Sequence, residues 1–281
     1  MSLFSNILPL FCLFFLACEN RYFDNPVDPE SAFYVNEQLA SDTNNNNIAD
    51  GLEPDMASLS AGCYQTKTLD SSFEICLQGF LLQKTELTEG EYRTAIQGYI
   101  PEPETDSLPI TGISWFDAIA YCNRLSTIHK LDKVYIIQDD SVYSDISKNG
   151  FRLPTETEWE YAYGAGEEGK YYWEGDSTGA KNYSWFSENA EGQLHAIGQK
   201  KPNANGLYDM SGNALEWVHD WYGVRTLDKS WAGADSGIQR IAKGGSFFDK
   251  AIYLERNNRQ ALRPIVTRTY LGFRLARTTE N

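Results

Sequence analysis

Gly206-Leu207-Tyr208-Asp209-Met210-Ser211-Gly212-Asn213-Ala214-Leu215-Glu216-Trp217 is the stretch on which the reading of this chain turns. Two carboxylates, Asp209 and Glu216, stand seven residues apart around a glycine, between aromatic and aliphatic neighbours. Such a loop can offer both side chains and the intervening carbonyls to a hard cation, because calcium takes about six to eight oxygens in a flexible geometry. The competing reading is an acidic loop held by a base elsewhere, with Arg274 and Lys243 as candidates.

Outward from that loop, three Ser/Thr residues are followed three positions later by an acid: Thr88 with Glu91, Ser114 with Asp117 and Thr155 with Glu158. That spacing marks helix starts, since the hydroxyl and the acid can each satisfy a free backbone N–H. After Ser114 the residues Trp115, Ile119, Cys122, Leu125 and Ser126 recur near the helical period, which turns Cys122 inward as a packed thiol. Thr155 follows Pro154 and starts a short helix through Tyr163. Beyond Gly164 the chain is rich in Gly, Asn, Trp and Tyr, with few alternating runs. Long ordered loops of that kind need something other than a strand ladder to fix them. Cys63 and Cys76 flank a hairpin with its turn near Leu69 to Ser72, and either a disulfide or two buried thiols fits their position.

Ordered segments along the chain resemble one family. They are Lys84-Thr85-Glu86-Leu87-Thr88, Pro109-Ile110-Thr111-Gly112-Ile113-Ser114-Trp115, Phe151-Arg152-Leu153-Pro154-Thr155-Glu156 with Glu158-Trp159-Glu160-Tyr161-Ala162, the 206–217 stretch, Gly244-Gly245-Ser246, and Leu271-Gly272-Phe273-Arg274-Leu275-Ala276. Together they are similar to the formylglycine-generating-enzyme (sulfatase-modifying factor) family, over about residues 59 to 277. The resemblance implies an α+β fold, the family's variant of the C-type lectin fold, low in regular secondary structure and held partly by calcium. It further implies that Asp209 and Glu216 bind calcium through carboxylates, and Gly212 and Ala214 through backbone oxygens. A second family calcium site would involve Asn182 and Tyr183, but the acids from Glu188 to Glu191 do not complete it clearly.

The resemblance stops at the chemistry. Family members that make formylglycine hold copper between two cysteine thiolates a few residues after Gly-Gly-Ser. Here that stretch reads Ser246-Phe247-Phe248-Asp249-Lys250-Ala251-Ile252-Tyr253-Leu254-Glu255. The main domain's cysteines are Cys63, Cys76 and Cys122, all far upstream, and the carboxylates of Asp249 and Glu255 cannot supply the soft ligands that Cu(I) needs. His129, His195 and His219 are scattered, unlike the three-histidine iron site of the related sulfoxide synthases, and Ser246 with His219 lacks a nucleophile-elbow context. What the same surface offers is recognition. Ser246, Phe247, Phe248, Asp249, Arg256 and Asn258 combine aromatic faces, amides and a guanidinium, as binding surfaces do; the alternative has the aromatics in the core.

The N-terminal fifth has a different character. Residues 7–17, ILPLFCLFFLA, have the length of a signal-peptide core, and Cys18 after Leu16-Ala17 is similar to a lipobox cysteine, although no Lys or Arg precedes it. Residues 1–17 are therefore expected to be a signal peptide, with Cys18 lipidated; an ordinary cleaved signal and a buried N-terminal segment are the other readings. Residues 18–58 read as a tether and 59–278 as the main domain. Within the tether, Asp42, Asn44, Asn46, Ile48, Asp50 and Glu53 occupy positions 1, 3, 5, 7, 9 and 12 of an EF-hand-like loop, similar to the short calcium repeats of thrombospondin-type and bacterial surface proteins. An Asn-rich solvated linker is the other reading.

The whole chain, 281 residues with 39 acidic against 24 basic side chains, has a formal charge of −15. That balance argues against nucleic acid as a partner, because each phosphate contact needs a local cation. The expectation is an exported, lipid-anchored, calcium-stabilised, non-catalytic domain of the bacterial cell envelope that binds protein or glycan. Two alternatives stay open: an enzyme of the broader family, with non-haem iron as one possible chemistry, and a scaffold subunit of an envelope gliding or secretion machine.

Overall fold

The computed structural model describes residue 48 and residues 50–67, 72–97, 104–138, 141–223, 234 and 236–279. Residues 1–17, read as a signal peptide, Cys18 and the first positions of the expected calcium loop, Asp42, Asn44 and Asn46, lie outside the described residues, as does most of the hairpin turn expected near Leu69. No helix among the described residues is long and apolar enough to cross a membrane.

Among the described residues, twelve short strands and three helices are separated by long ordered loops. Strands β1 (Met56–Leu59), β4 (Phe80–Gln83), β7 (Phe151–Arg152) and β12 (Ala276–Thr278) form an antiparallel sheet in the order β1-β4-β12-β7. A second sheet has the order β10-β9-β8-β11, from β8 (Leu215–Trp221), β9 (Arg240–Lys243), β10 (Gln260–Leu262) and β11 (Leu271–Phe273). Its β8–β11 pair is parallel, with Glu216 opposite Gly272. Two hairpins stand apart, β2 (Gly62–Lys67) with β3 (Ser72–Leu77), and β5 (Tyr135–Gln138) with β6 (Ser141–Ser144). Cys63 and Cys76 face each other across the first and are disulfide-bonded.

All three expected helix starts form. Thr88 Oγ1 accepts from the Glu91 N–H while the Glu91 carboxylate accepts from Thr88 N–H, at the head of α1 (Glu89–Gln97). Ser114 with Asp117 opens α2 (Trp115–Ile128), and Thr155 with Glu158 opens α3 (Glu156–Gly164), each as a reciprocal capping box. Cys122 is fully buried, as its place in the period requires, and burial pushes its thiol far above the ordinary range. Thr155→Ala removes the acceptor for Glu158 N–H, so it is expected to cost about 1–2 kcal/mol and lower the denaturation midpoint without changing its slope.

The core has two centres. One gathers Trp115, Ile119, Leu125, Leu153, Trp217 and Phe273 around α1 and α2; the other packs Phe80, Leu82, Met210, Val218 and Ile241 against Trp159 and Tyr163 of α3. The folded unit starts earlier than residue 59. β1 pairs along its whole length with β4, Leu52 is buried, and Ile48 packs against the first core centre. The His129 ring nitrogen Nε2 lies 2.8 Å from the Leu52 carbonyl. Residues 50–58 thus belong to the domain, because Leu52, Ala57 and Leu59 gain burial that a solvated tether would forgo.

Candidate functional site: the acidic loop and the turn beside it

The 209–216 loop runs straight into β8, and its backbone explains its residues. Asp209, Gly212 and Asn213 all have positive φ (54°, 75° and 53°), a region that Gly, Asn and Asp tolerate best. A Cβ on Gly212 would sit 2.1 Å from the Trp185 carbonyl, so only glycine fits.

The carboxylates part company inside the fold. Both Glu216 oxygens accept from Arg274 Nε at 3.0 and 2.9 Å, Arg274 Nη2 adds a bond of 2.7 Å, and Trp159 Nε1 donates to Oε2 at 2.8 Å. Arg274 also donates to the Gln83, Lys84 and Tyr208 carbonyls. Of the two sequence readings of Glu216, the structure shows the ion pair with Arg274, since a fork of fixed N–H donors matches the carboxylate. Lys243, paired with Glu216 in the β8–β9 register, has its Nζ 2.8 Å from Glu160 of α3 and 2.8 Å from the Arg256 carbonyl. Asp209 accepts from Gly198 N–H through Oδ2 at 2.6 Å, while its buried Oδ1 has no hydrogen-bond partner among the described residues.

A third acid completes the group, one to which the sequence reading gave no role. Glu86 is fully buried, and its two oxygens accept from Ala214 N–H at 2.7 Å and Asn213 Nδ2 at 2.8 Å. Burial first, then the charges of Asp209 and Glu216, push its carboxyl well above the usual range. Burial likewise pushes Asp209 up to about 6, against the pull of Gly198 N–H and Arg274. Three carboxyl groups therefore share one guanidinium, and one carboxylate oxygen is left over. No local pattern around Glu86 announces this, because its partners are more than a hundred residues away.

The loop is stitched to the turn after Gly244-Gly245-Ser246. Gly212 N–H donates to the Gly244 carbonyl and Phe247 N–H to the Asn213 carbonyl, both at 3.0 Å. Asp249 accepts from the Ser246 hydroxyl and N–H at 2.7 and 2.9 Å. Ala251–Leu254 forms a single 3-10 turn whose last carbonyl accepts from Tyr163 and Ser211 hydroxyls.

Of the expected recognition residues, Ser246, Phe247 and Arg256 are interior. Ser246 closes the turn on Asp249, Phe247 fills the core side, and Arg256 spends its guanidinium on the Gln65, Glu167 and Glu168 carbonyls. Phe248 is exposed, while Asp249 and Asn258 are half-buried. Exposed Ile252 and Tyr253 join Phe248 on the same turn; the sequence reading passed over them because an isolated apolar pair in a loop has no period to orient it.

The histidines sit in three separate settings: His129 on the Leu52 carbonyl, His195 stacked on Trp185 at 3.7 Å, and His219 beside the Tyr135 and Ser144 hydroxyls. Of the EF-hand-like positions within the described residues, Asp50 lies in a 3-10 turn, Asp50–Leu52, and Glu53 is half-buried just after it.

The sulfatase-modifying factor enzyme 1-like domain model matches residues 42–279. Chaperone protein LppX of Paenibacillus barcinonensis is 28% identical over 227 residues, 69% of this chain and 78% of that protein. The formylglycine-generating enzyme of Bos taurus is 28% identical over 60% of this chain, and the match spans only 43% of the enzyme's own length. Among solved structures, Treponema denticola variable protein 1 superposes with a TM-score of 0.73 at 30% identity, covering 80% of this chain and 95% of that one. The shared motifs, the α+β architecture with modest regular structure and a family match across nearly the whole described domain agree: the chain belongs to the sulfatase-modifying factor enzyme 1-like domain family.

Proposed function

We propose that the chain is a non-catalytic recognition domain of the bacterial cell envelope, exported and held to a membrane by lipid on Cys18, stabilised by calcium, and binding an envelope protein or glycan through the turn after Gly245. The observation that carries the reading is the make-up of that turn. Where the resemblance expects copper thiolates, near Asp249 and Leu254, the chain has a carboxylate engaged with Ser246 and a buried leucine, and it has no cysteine after Cys122. Phe248, Ile252 and Tyr253 are turned outward instead. Exposed aromatics on a rigid turn are typical anchors of binding surfaces.

Calcium fits the acidic loop in part. Asp209 Oδ1 is a buried carboxylate oxygen without a partner among the described residues, beside a surplus of negative charge. Asp209, with the Gly212 and Ala214 carbonyls, would hold the ion, and Glu216 would join only by giving up bonds to Arg274. The ion would neutralise charge and fix the loop. Because the loop carries the Gly244 and Phe247 backbone bonds, fixing it also fixes the recognition turn.

The test is recovery of envelope proteins and glycans on full-length protein, wild type against Phe248→Ala/Tyr253→Ala. Loss of the two aromatics is expected to weaken capture of the specific partner at least about tenfold, as for hot-spot truncations of about 2 kcal/mol. Equal recovery by both would reject the turn as the binding face. Formylglycine production from a cysteine peptide with Cu(I) and oxygen, above a protein-free control, would reject the non-catalytic reading.

A further inference from the structure

We infer that the partner presented to this turn is an acidic protein segment bearing apolar side chains; the inference rests on the recognition reading above and narrows it. The chain as a whole carries −15, yet residues 244–279 contain seven Lys and Arg against two Asp and Glu. Much of that positive charge is spent within the fold: Arg274 on Glu216, Arg259 on Glu156, and Arg256 and Arg277 on backbone carbonyls. Three cations remain, Lys250, Arg263 and Arg268, all exposed and without an acidic partner among the described residues. Arg268 donates only to the carbonyl of its neighbour Thr267.

Two of these cations, Lys250 and Arg268, lie on the recognition turn and on the loop that touches it, whereas Arg263 follows β10 at the end of the sheet away from that turn. Lys250 lies on the recognition turn between Phe248 and Tyr253, which are 56% and 49% exposed. Arg263 and Arg268 each begin a tight turn, closed by Val266 N–H on the Arg263 carbonyl and Leu271 N–H on the Arg268 carbonyl. Tyr270, inside the second turn, meets the Phe248 ring edge-on at 5.6 Å, which joins this loop to the recognition turn. Ile265, 50% exposed, stands between the two arginines in sequence. Of the acids on or near the turn, Glu255 pairs with Lys170 and Glu188 with Lys181, while Asp249 accepts from the Ser246 hydroxyl and N–H and so points back into its own turn.

The turn and the loop that touches it therefore present exposed apolar groups beside two exposed cations, Lys250 and Arg268, on a chain whose net charge is −15. A surface of that sign attracts an anionic partner and orients it, while the apolar side chains supply burial. Phe248, Ile252 and Tyr253 around Lys250 suit an acidic peptide with apolar residues, whose side chains bury against them while its carboxylates meet the cations.

The experiment uses full-length protein and three immobilised probes: peptides alternating Glu or Asp with Leu or Phe, the same peptides with Lys in place of the acids, and a polyuronate chain. Acidic peptides are expected to bind at least about tenfold more tightly than the basic set, and to weaken as salt rises because exposed charges are screened within about 10 Å at 0.1 M. Lys250→Glu/Arg268→Glu should cut acidic-peptide binding about tenfold or more, whereas Lys133→Glu, an exposed lysine before β5, should leave it unchanged. Far-ultraviolet circular dichroism and an unchanged melting temperature confirm that the double reversal folds. Preferred binding of the basic peptides or of polyuronate, or indifference to the double reversal while Phe248→Ala still weakens binding, overturns the acidic partner but keeps the recognition face. Binding of no probe, together with no effect of the aromatic substitutions on envelope capture, overturns both.

Discussion

Arg274→Ala is expected to destabilise the domain by about 3–5 kcal/mol, the largest single-residue effect that the fold predicts. The guanidinium is wholly buried and answers a wholly buried carboxylate, so its removal leaves Glu216 charged in the interior with only the Trp159 indole N–H to hold it. Three backbone carbonyls, those of Gln83, Lys84 and Tyr208, lose a donor at the same time. Gln83 ends β4, Lys84 follows it and Tyr208 belongs to the loop that leads into β8, so the damage reaches both sheets. Urea denaturation with the Glu216→Gln partner variant separates the contributions. If the ion pair dominates, Arg274→Met/Glu216→Gln recovers much of the loss, because neutralising both members removes the stranded charge. A single-variant loss below about 1 kcal/mol would mean that the pair is not what joins the sheets.

The contrast between what the sequence foretold and what it hid follows from the range of the interactions. The capping boxes at Ser114 and Thr155 were legible because hydroxyl and acid lie three residues apart, within one helical turn. The inward face of Cys122 was legible for the same reason. The cysteine pair at 63 and 76 was legible as a hairpin but not as a bond, since register and not spacing brings the two sulfurs together. The roles of Glu86, Glu216 and Arg274 were hidden. Their contacts join residues 58 to 128 positions apart, and only the β8–β11 pairing and the β4–loop packing bring them into one place. Composition misled at Ser246, Phe247 and Arg256. Polar and aromatic residues in a loop read as surface, but the turn closes on itself and the hairpin β2–β3 supplies a carbonyl that draws Arg256 inside. The tether boundary failed similarly, because Leu52 and Ala57 carry no period that marks them as core.

Asp209 supplies a prediction that reads calcium and protons on one group. Its folded-state value, about 6, lies above the ordinary 3.8, so the folded chain binds the proton more tightly than the unfolded chain does. The stability this confers is complete below about 3.8, falls as pH rises through that window and is lost above about 6. Taken against Asp209→Asn, which keeps the shape and cannot ionise, the wild type should lose about 3 kcal/mol of relative stability between those limits in calcium-depleted buffer, roughly 1.4 kcal/mol for each tenfold difference in proton affinity between the folded and unfolded chains. Calcium acts in the opposite sense. It requires the carboxylate, so at neutral pH, where the proton has already left, it adds about 2.7 kcal/mol when free calcium is 100 times its dissociation constant. At pH 4 the proton competes and the calcium response should nearly vanish, and Asp209→Asn should blunt the response at both pH values. Melting curves of both proteins at pH 4 and pH 7, with chelator and with millimolar calcium, give the four comparisons. A calcium response that is the same in Asp209→Asn as in wild type would place the ion elsewhere. A wild-type profile parallel to that of the Asn variant would mean that the buried oxygen Oδ1 is satisfied by a neighbour or by solvent.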